Sequence, residues 1–236
     1  MFSSHIGSSK RWVLLLAAAC AWLGPARANE EPGKRFSVVL DAGHGGTDAG
    51  IERDAGVEKD LALKVADRVA SLLRSKPDVE PVLTRKGDYP LSFDERRRIA
   101  NVNEPGIFMS LHFAAAPSPL LKGPRLYVSA PANVSDRSVL IPLEEAHALA
   151  SARSLRLATV LTSTLQAAIP EAEMEIARLP LAPLLGITVP AILVECDFLT
   201  SRDASAWKDP ETVERFSQLL FTAIDRFLSE VENPPP

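Results

Sequence analysis

Cysteine is nearly absent from this chain of 236 residues, which carries only Cys20 and Cys196. Cys20 falls in the leading segment and Cys196 in a late apolar run, so removal of the leader leaves no intramolecular disulfide to staple the fold. No apolar run approaches the ~20 residues that cross a bilayer, and the longest, Trp12 to Leu23, is about a dozen. Lys10 and Arg11 precede that run and Pro25-Ala26-Arg27-Ala28 follows it, which is the order of a secretory signal with cleavage after Ala28. The mature chain is therefore expected in the periplasm or outside the cell, without a transmembrane segment. A lipid on Cys20, after Ala17-Ala18-Ala19, is the lesser reading because the usual leucine three residues before the cysteine is missing. Basic clusters are also lacking. Removing residues 1–28 takes away three of the 26 basic residues against 30 acids, leaving a formal charge of about −7 and excluding nucleic acid as a partner. No repeat, linker or second domain interrupts the chain.

What is present alternates. After a polar lead over residues 29–34, one domain is expected over 35–230, with a tail over 231–236. Strands are predicted at Arg35 to Leu40, Val79 to Thr84, Ile107 to His112, Arg125 to Val128, Glu175 to Leu179 and Ala191 to Glu195. Helices are predicted at Leu61 to Leu73, Leu91 to Asn101 with Ser92 or Asp94 near its start, Leu143 to Ala168 and Glu211 to Leu228. That order predicts a single α/β domain built on a mostly parallel, mixed, twisted sheet with helices on both faces.

The chemistry gathers at strand ends. Val38 to Leu40 runs into Asp41-Ala42-Gly43-His44-Gly45-Gly46-Thr47-Asp48-Ala49-Gly50, where glycines let the turn pack tightly and His44 project. A second imidazole, His112, ends Ile107 to Leu111, and Glu195 ends Ala191 to Val194. Three strand ends delivering His, His and Glu to one sheet edge is how open α/β folds build sites. Glu58, opening the first helix just after the His44 loop, is placed to fold back and supply a third ligand beside His44 and His112. Two histidines and a carboxylate are the protein ligands of an open catalytic zinc site, one ion per chain, with the fourth position left for water. Glu195, not needed as a ligand, would be the catalytic base. Asp41, Asp48 and Asp60 are candidates for ordering the loop or the imidazole from behind.

In these residues the chain resembles the zinc-dependent N-acetylmuramoyl-L-alanine amidases of bacterial cell walls. The resemblance runs from Val38 to about Trp207 through Leu40 to Gly50, Glu58-Lys59-Asp60, Val82-Leu83-Thr84-Arg85, Leu91 to Asn101, Ser110-Leu111-His112, Pro190 to Glu195 and Phe198-Leu199. It implies His44, Glu58 and His112 as zinc ligands, Glu195 as the catalytic glutamate, and peptidoglycan or a muropeptide as substrate, cut between the lactyl group of muramic acid and L-alanine. The chain departs from the pattern at Phe113, Ala114, Leu185 and Ser201. A degenerate homologue that binds wall without turnover is the alternative, and a peptidase cutting within the stem is a nearer rival. Division-linked relatives carry a long insertion that covers the zinc. Here Ser129 to Pro142 leaves room for a short one, with Glu144, Glu145 and His147 following, and targeting falls to the cleft or to a protein activator.

The remaining motifs have plainer readings. Gly43-His44-Gly45-Gly46 lacks the Lys-Ser/Thr of a phosphate loop. Strand alternation turns Cys196 to the face opposite Glu195, as packing. Arg96-Arg97-Arg98 reads as a solvated helix face.

Overall fold

Alternating aliphatic runs and amphipathic helices produce fourteen described elements in the expected order, and the strands come first because they carry the site. The strands are β1 (Phe36–Ala42), β2 (Glu52–Arg53), β3 (Gly56–Val57), β4 (Val79–Leu83), β5 (Gly106–Ala114), β6 (Arg125–Ser129), β7 (Ile176–Leu179) and β8 (Ala191–Phe198). The helices are α1 (Glu58–Leu73), α2 (Phe93–Val102), α3 (Ile141–Ala168) and α4 (Pro210–Glu232), with 3-10 turns at Ala182–Leu184 and Ala204–Lys208. The structure is a computed structural model that describes residues 35–129 except 105, then 141–172 and 174–232, without the side chains of 141–149 and 232. The expected signal segment with its expected cleavage after Ala28, Cys20, residues 130–140 and the side chains of Glu144, Glu145 and His147 lie outside the described residues.

Six strands form one sheet in the order β4-β1-β5-β8-β6-β7. The first four are mutually parallel, while β6 runs antiparallel to β8 and parallel to β7. The sheet is thus the mixed, mainly parallel one that the alternation predicts. Its central strands are apolar on both faces because both faces are covered. One face carries Val38, Leu40, Met109, Leu111, Ile192 and Val194 against α1, α3 and α4. The other carries Val39, Phe108, Ala191 and Leu193 against α2 and the Ala182–Leu184 turn. Helices lie on both faces, three against one.

Boundaries shift where side chains outside the pattern take part. α1 starts at Glu58, three residues before its apolar stripe, and α4 continues to Glu232, into the expected tail. In α2 the Ser92 hydroxyl accepts from the Glu95 amide, and the Glu95 carboxylate accepts from the Ser92 amide. That capping box makes Ser92, not Asp94, the cap. The short β2–β3 hairpin is too brief for any hydrophobic period to announce it. Strand β8 extends to Phe198, and a bulge lies opposite β5 between His112 and Ala114. Trp207, in the second 3-10 turn, meets Phe113 and Phe216 edge-on, with ring centroids 4.7 and 5.4 Å away.

Candidate metal centre and active site

The site forms where β1, β5 and β8 end at one edge of the sheet. β1 delivers the chain into the His44 loop, and His44 itself adopts φ 57°, a left-handed conformation that few non-glycine residues take outside functional turns. Two glycines are dictated by what they face. A Cβ on Gly43 would lie 2.3 Å from the His112 ring, and one on Gly50 would lie 2.6 Å from Glu58 Oε2 and 2.7 Å from the His44 ring. The two imidazoles approach the backbone more closely than any side chain permits.

The hairpin brings Glu58 to them. Its backbone amide donates to Ile51 O at 2.9 Å, and its Oε2 accepts from the Ile51 amide at 2.9 Å. Glu58 Oε1 then lies 3.0 Å from His44 Nε2 and 2.9 Å from His112 Nδ1, and accepts from the Phe113 amide at 3.0 Å. The imidazole rings are 4.9 Å apart, edge to face. One ligand atom from each of His44, Glu58 and His112 falls within 4.8 Å of the other two. These hydrogen bonds, from His112 foremost and from His44, hold the buried Glu58 carboxyl far below the ordinary carboxylate range against the cost of burial. The Glu58 hydrogen bond is the main cause that raises His44.

This donor set fits a divalent ion. Two imidazole nitrogens aim at one buried carboxylate oxygen, a convergence of lone pairs that requires either protons or a cation between them. Asp48 Oδ2 lies 2.8 Å from His44 Nδ1, which assigns the proton to Nδ1 and the lone pair to Nε2 in the neutral ring.

Glu195 stands beside them. It is the register partner of His112 across β5 and β8, and its Oε2 is buried with no hydrogen-bond partner among the described residues. Burial, with the Glu58 charge adding, pushes its carboxyl up to about 7 although both imidazoles oppose the shift. Such a carboxyl exchanges its proton near neutrality.

The three aspartates divide. Asp48 orders His44 directly. Asp41 is fully buried and touches no imidazole: it accepts from Thr84 Oγ1 at 2.7 Å, Ser110 Oγ at 2.7 Å and Arg96 Nη1 at 2.5 Å. Asp60 is exposed on α1, and its charge acts on Arg85.

Arg96 overturns the reading of its triplet as solvated. It is 4% exposed, and besides Asp41 it donates to the carbonyls of Ala42 and His44, each at 2.7 Å. The signal was helical spacing, since Arg96 lies one turn before the buried Ala100; Arg98 is exposed as read. Arg85, 1% exposed, donates to Ala42 O at 3.0 Å, Gly43 O at 2.8 Å and Lys59 O at 2.7 Å. Two buried guanidiniums thus hold three consecutive carbonyls of the turn that carries His44.

The departures from the family pattern lie mostly off the cleft. Phe113 packs into the core against Trp207, the Ala114 carbonyl accepts from the Leu199 amide, Ser201 Oγ accepts from the Asp203 amide, and Leu185 is exposed. Cys196 is buried on the α1 side, where burial raises its thiol.

A family model described as N-acetylmuramoyl-L-alanine amidase matches residues 38–226. The chain belongs to that amidase family. It is 37% identical over 95 residues to the probable N-acetylmuramoyl-L-alanine amidase AmiB of Haemophilus influenzae, a match covering 39% of this chain and 22% of that protein. The fold is similar to that of the amidase AmiC2 of Nostoc punctiforme, with TM-score 0.68 and 26% identity over 82% of this chain and 97% of the other. It is also similar to the CwlD amidase of Clostridioides difficile, solved in complex with the GerS lipoprotein, with TM-score 0.67 and 21% identity over 83% and 97% of the two chains. Among the described residues no helix is long and apolar enough to cross a membrane.

Proposed function

We propose that this chain is a zinc-dependent N-acetylmuramoyl-L-alanine amidase, exported by its leader and hydrolysing the amide between muramic acid and the L-alanine of the peptidoglycan stem. The observation that carries the reading is the convergence of His44, Glu58 and His112 beside a Glu195 carboxyl whose Oε2 has no hydrogen-bond partner among the described residues. His44, Glu58 and His112 would hold the ion, which when bound acidifies water and polarises a carbonyl. Asp48 keeps His44 in the ligating tautomer. Glu195 takes the proton of the attacking water and returns it to the departing amine, work suited to a carboxyl whose burial keeps it near neutrality. The turn that aims His44 is held rigid by Arg85 and Arg96, so geometry is set before substrate arrives. A protein activator belongs to the same reading, in keeping with the lipoprotein complex of CwlD.

The test is purified chain lacking residues 1–28, incubated with muropeptides and zinc, with and without chelator. Release of free stem peptide that chelation abolishes, with the mass of cleavage before L-alanine, supports the amidase. Products cut within the stem would make it a peptidase, and muropeptide binding without turnover would make it the degenerate wall-binding homologue.

A further inference from the structure

Arg85 and Arg96 hold the carbonyls of residues 42–44 and leave the tip of the His44 turn, just beyond them, to other groups. His44, Gly45 and Gly46 adopt φ of 57°, 126° and 62°, three left-handed residues in succession on a path outside any helix or strand of the fold. The tip closes on itself. The Gly45 amide donates to Asp48 O at 2.9 Å, and the Asp48 amide donates to Gly45 O at 3.2 Å. Asp48 is also the residue that orders the His44 ring through Nδ1. Whatever fixes Gly46, inside this small loop, therefore fixes Asp48 and the imidazole behind it.

Gly46 is gripped on both sides. Its amide donates to Asp88 Oδ1 at 2.7 Å, its carbonyl accepts from Lys59 Nζ at 2.8 Å, and Nζ donates to Asp88 Oδ2 at 2.7 Å. Three contacts thus close a ring through one glycine. A Cβ on Gly46 would lie 2.5 Å from Pro90 Cδ, so the tip rests directly on the segment that carries Asp88. Lys59 directly follows Glu58 at the start of α1, and its own amide donates to Ala49 O at 3.2 Å. The helix that bears one ligand therefore holds the loop that bears another at two points, Gly46 and Ala49, through a single residue.

Resting on the metal-centre reading, we infer that Lys59 and Asp88 are positioning residues of that centre, whose joint grip on Gly46 sets His44 against Glu58 at the separation an ion requires. Ligands held in place before the ion arrives need no ordering on binding, and the affinity gains what that ordering would cost. The sign of the effect separates this role from a purely electrostatic one. As a charge alone, Lys59 repels a cation, and its removal would tighten binding. As a clamp it preorganises a ligand, and its removal weakens binding. The Asp88 side chain is 51% exposed, so the ion pair adds little to the stability of the whole fold and its effect falls on the loop it ties.

The test is zinc affinity by competition with a chromophoric chelator, compared among the parent chain, Lys59→Met, Lys59→Arg, Asp88→Ala and the double variant Lys59→Met with Asp88→Ala. Lys64→Met, on the exposed face of the same helix, controls for the lost charge. Lys59→Met and Asp88→Ala should each bind zinc about tenfold more weakly. Lys59→Arg should recover part of the loss, because a guanidinium still spans Gly46 O and Asp88. The double variant should lose less than the product of the two single losses, since both residues act on one glycine. Lys64→Met should bind as the parent does or slightly tighter. Zinc held by Lys59→Met as tightly as by the parent, or more tightly, would overturn the inference, as would losses that simply multiply in the double variant. Melting temperatures with chelator present should agree within a few degrees for all six chains; a fall in step with zinc affinity would overturn the inference in favour of a pair that serves the fold alone. Muropeptide turnover is followed in parallel. Zinc bound by the parent without turnover removes the amidase reading and leaves the clamp, whereas a parent that takes up no zinc removes both.

Discussion

Two carboxylates that feel each other's charge are driven to opposite protonation states, and this is where single residues speak most clearly. Glu58 is satisfied by two imidazoles and two amides and stays ionised; Glu195 has burial and little else. In metal-free protein the Glu195 carboxyl binds its proton more tightly folded than unfolded, since about 7 lies above the ordinary 4.5. Its contribution to stability is present below pH 4.5 and is lost as pH rises through 7. Glu195→Gln cannot ionise. It should therefore match its parent at pH 4 and exceed it by about 2 kcal/mol at pH 8 in urea unfolding with chelator present. The same variant should lose muropeptide turnover by at least ~10²-fold while retaining close to one zinc per chain, as measured by metal analysis. Turnover like the parent's would remove Glu195 from the role of base. Arg96 gives the third expectation. Arg96→Met leaves Asp41 charged and buried and strips two loop carbonyls, so it should cost about 3–5 kcal/mol in urea unfolding. Arg98→Ala on the exposed face should stay within about 0.5 kcal/mol. The contrast between neighbours could be read from i,i+4 spacing with Ala100, but no composition rule marks which arginine of a triplet finds a buried acid 55 residues away.

At the scale of elements, what was legible is what periodicity records. The apolar stripes of α1 and α4 and the solid apolar runs of β1, β5 and β8 fix the sheet and which residues fall near its strand ends, although these strands run on past their apolar runs to Ala42, Ala114 and Phe198. Ligand geometry was not legible, because it rests on features without a period: the two-residue strands β2 and β3, which return Glu58 to His44, and the bulge after His112. Gly43 was legible as a turn and opaque as a contact. Gly43→Ala places a methyl where the His112 ring stands, so the ring must move away from Glu58. Zinc affinity should fall about 10- to 100-fold by competition with a chromophoric chelator, while the circular dichroism of the sheet is preserved. Affinity equal to the parent's would mean the His112 ring yields without leaving its ligand position.

For the molecule as a whole, an ion held by His44, Glu58 and His112 would be linked to the fold. A cation bound by the native chain alone stabilises it by RT ln(1 + [L]/Kd), about 4 kcal/mol at a thousandfold excess over Kd, and in a domain of this size each 1 kcal/mol moves the melting temperature by roughly 2–4 °C. Zinc should raise the melting temperature in a concentration-dependent way. Chelator should return it to the metal-free value, and a chain with Glu58→Gln and His112→Ala should show no response by scanning calorimetry. A shift that persists in that variant would place the ion elsewhere.

The strand bearing Glu195 is translated after β1, β4, β5 and β6, yet it occupies the interior of the sheet between β5 and β6. On the proposed reading, a chain still emerging from an export channel would present His44, Glu58 and His112 with no seam closed around them and without Glu195 as proton carrier. Hydrolytic competence would then wait for delivery of nearly the full length, and an incompletely exported molecule would be harmless to the polymer that the proposed reaction cuts.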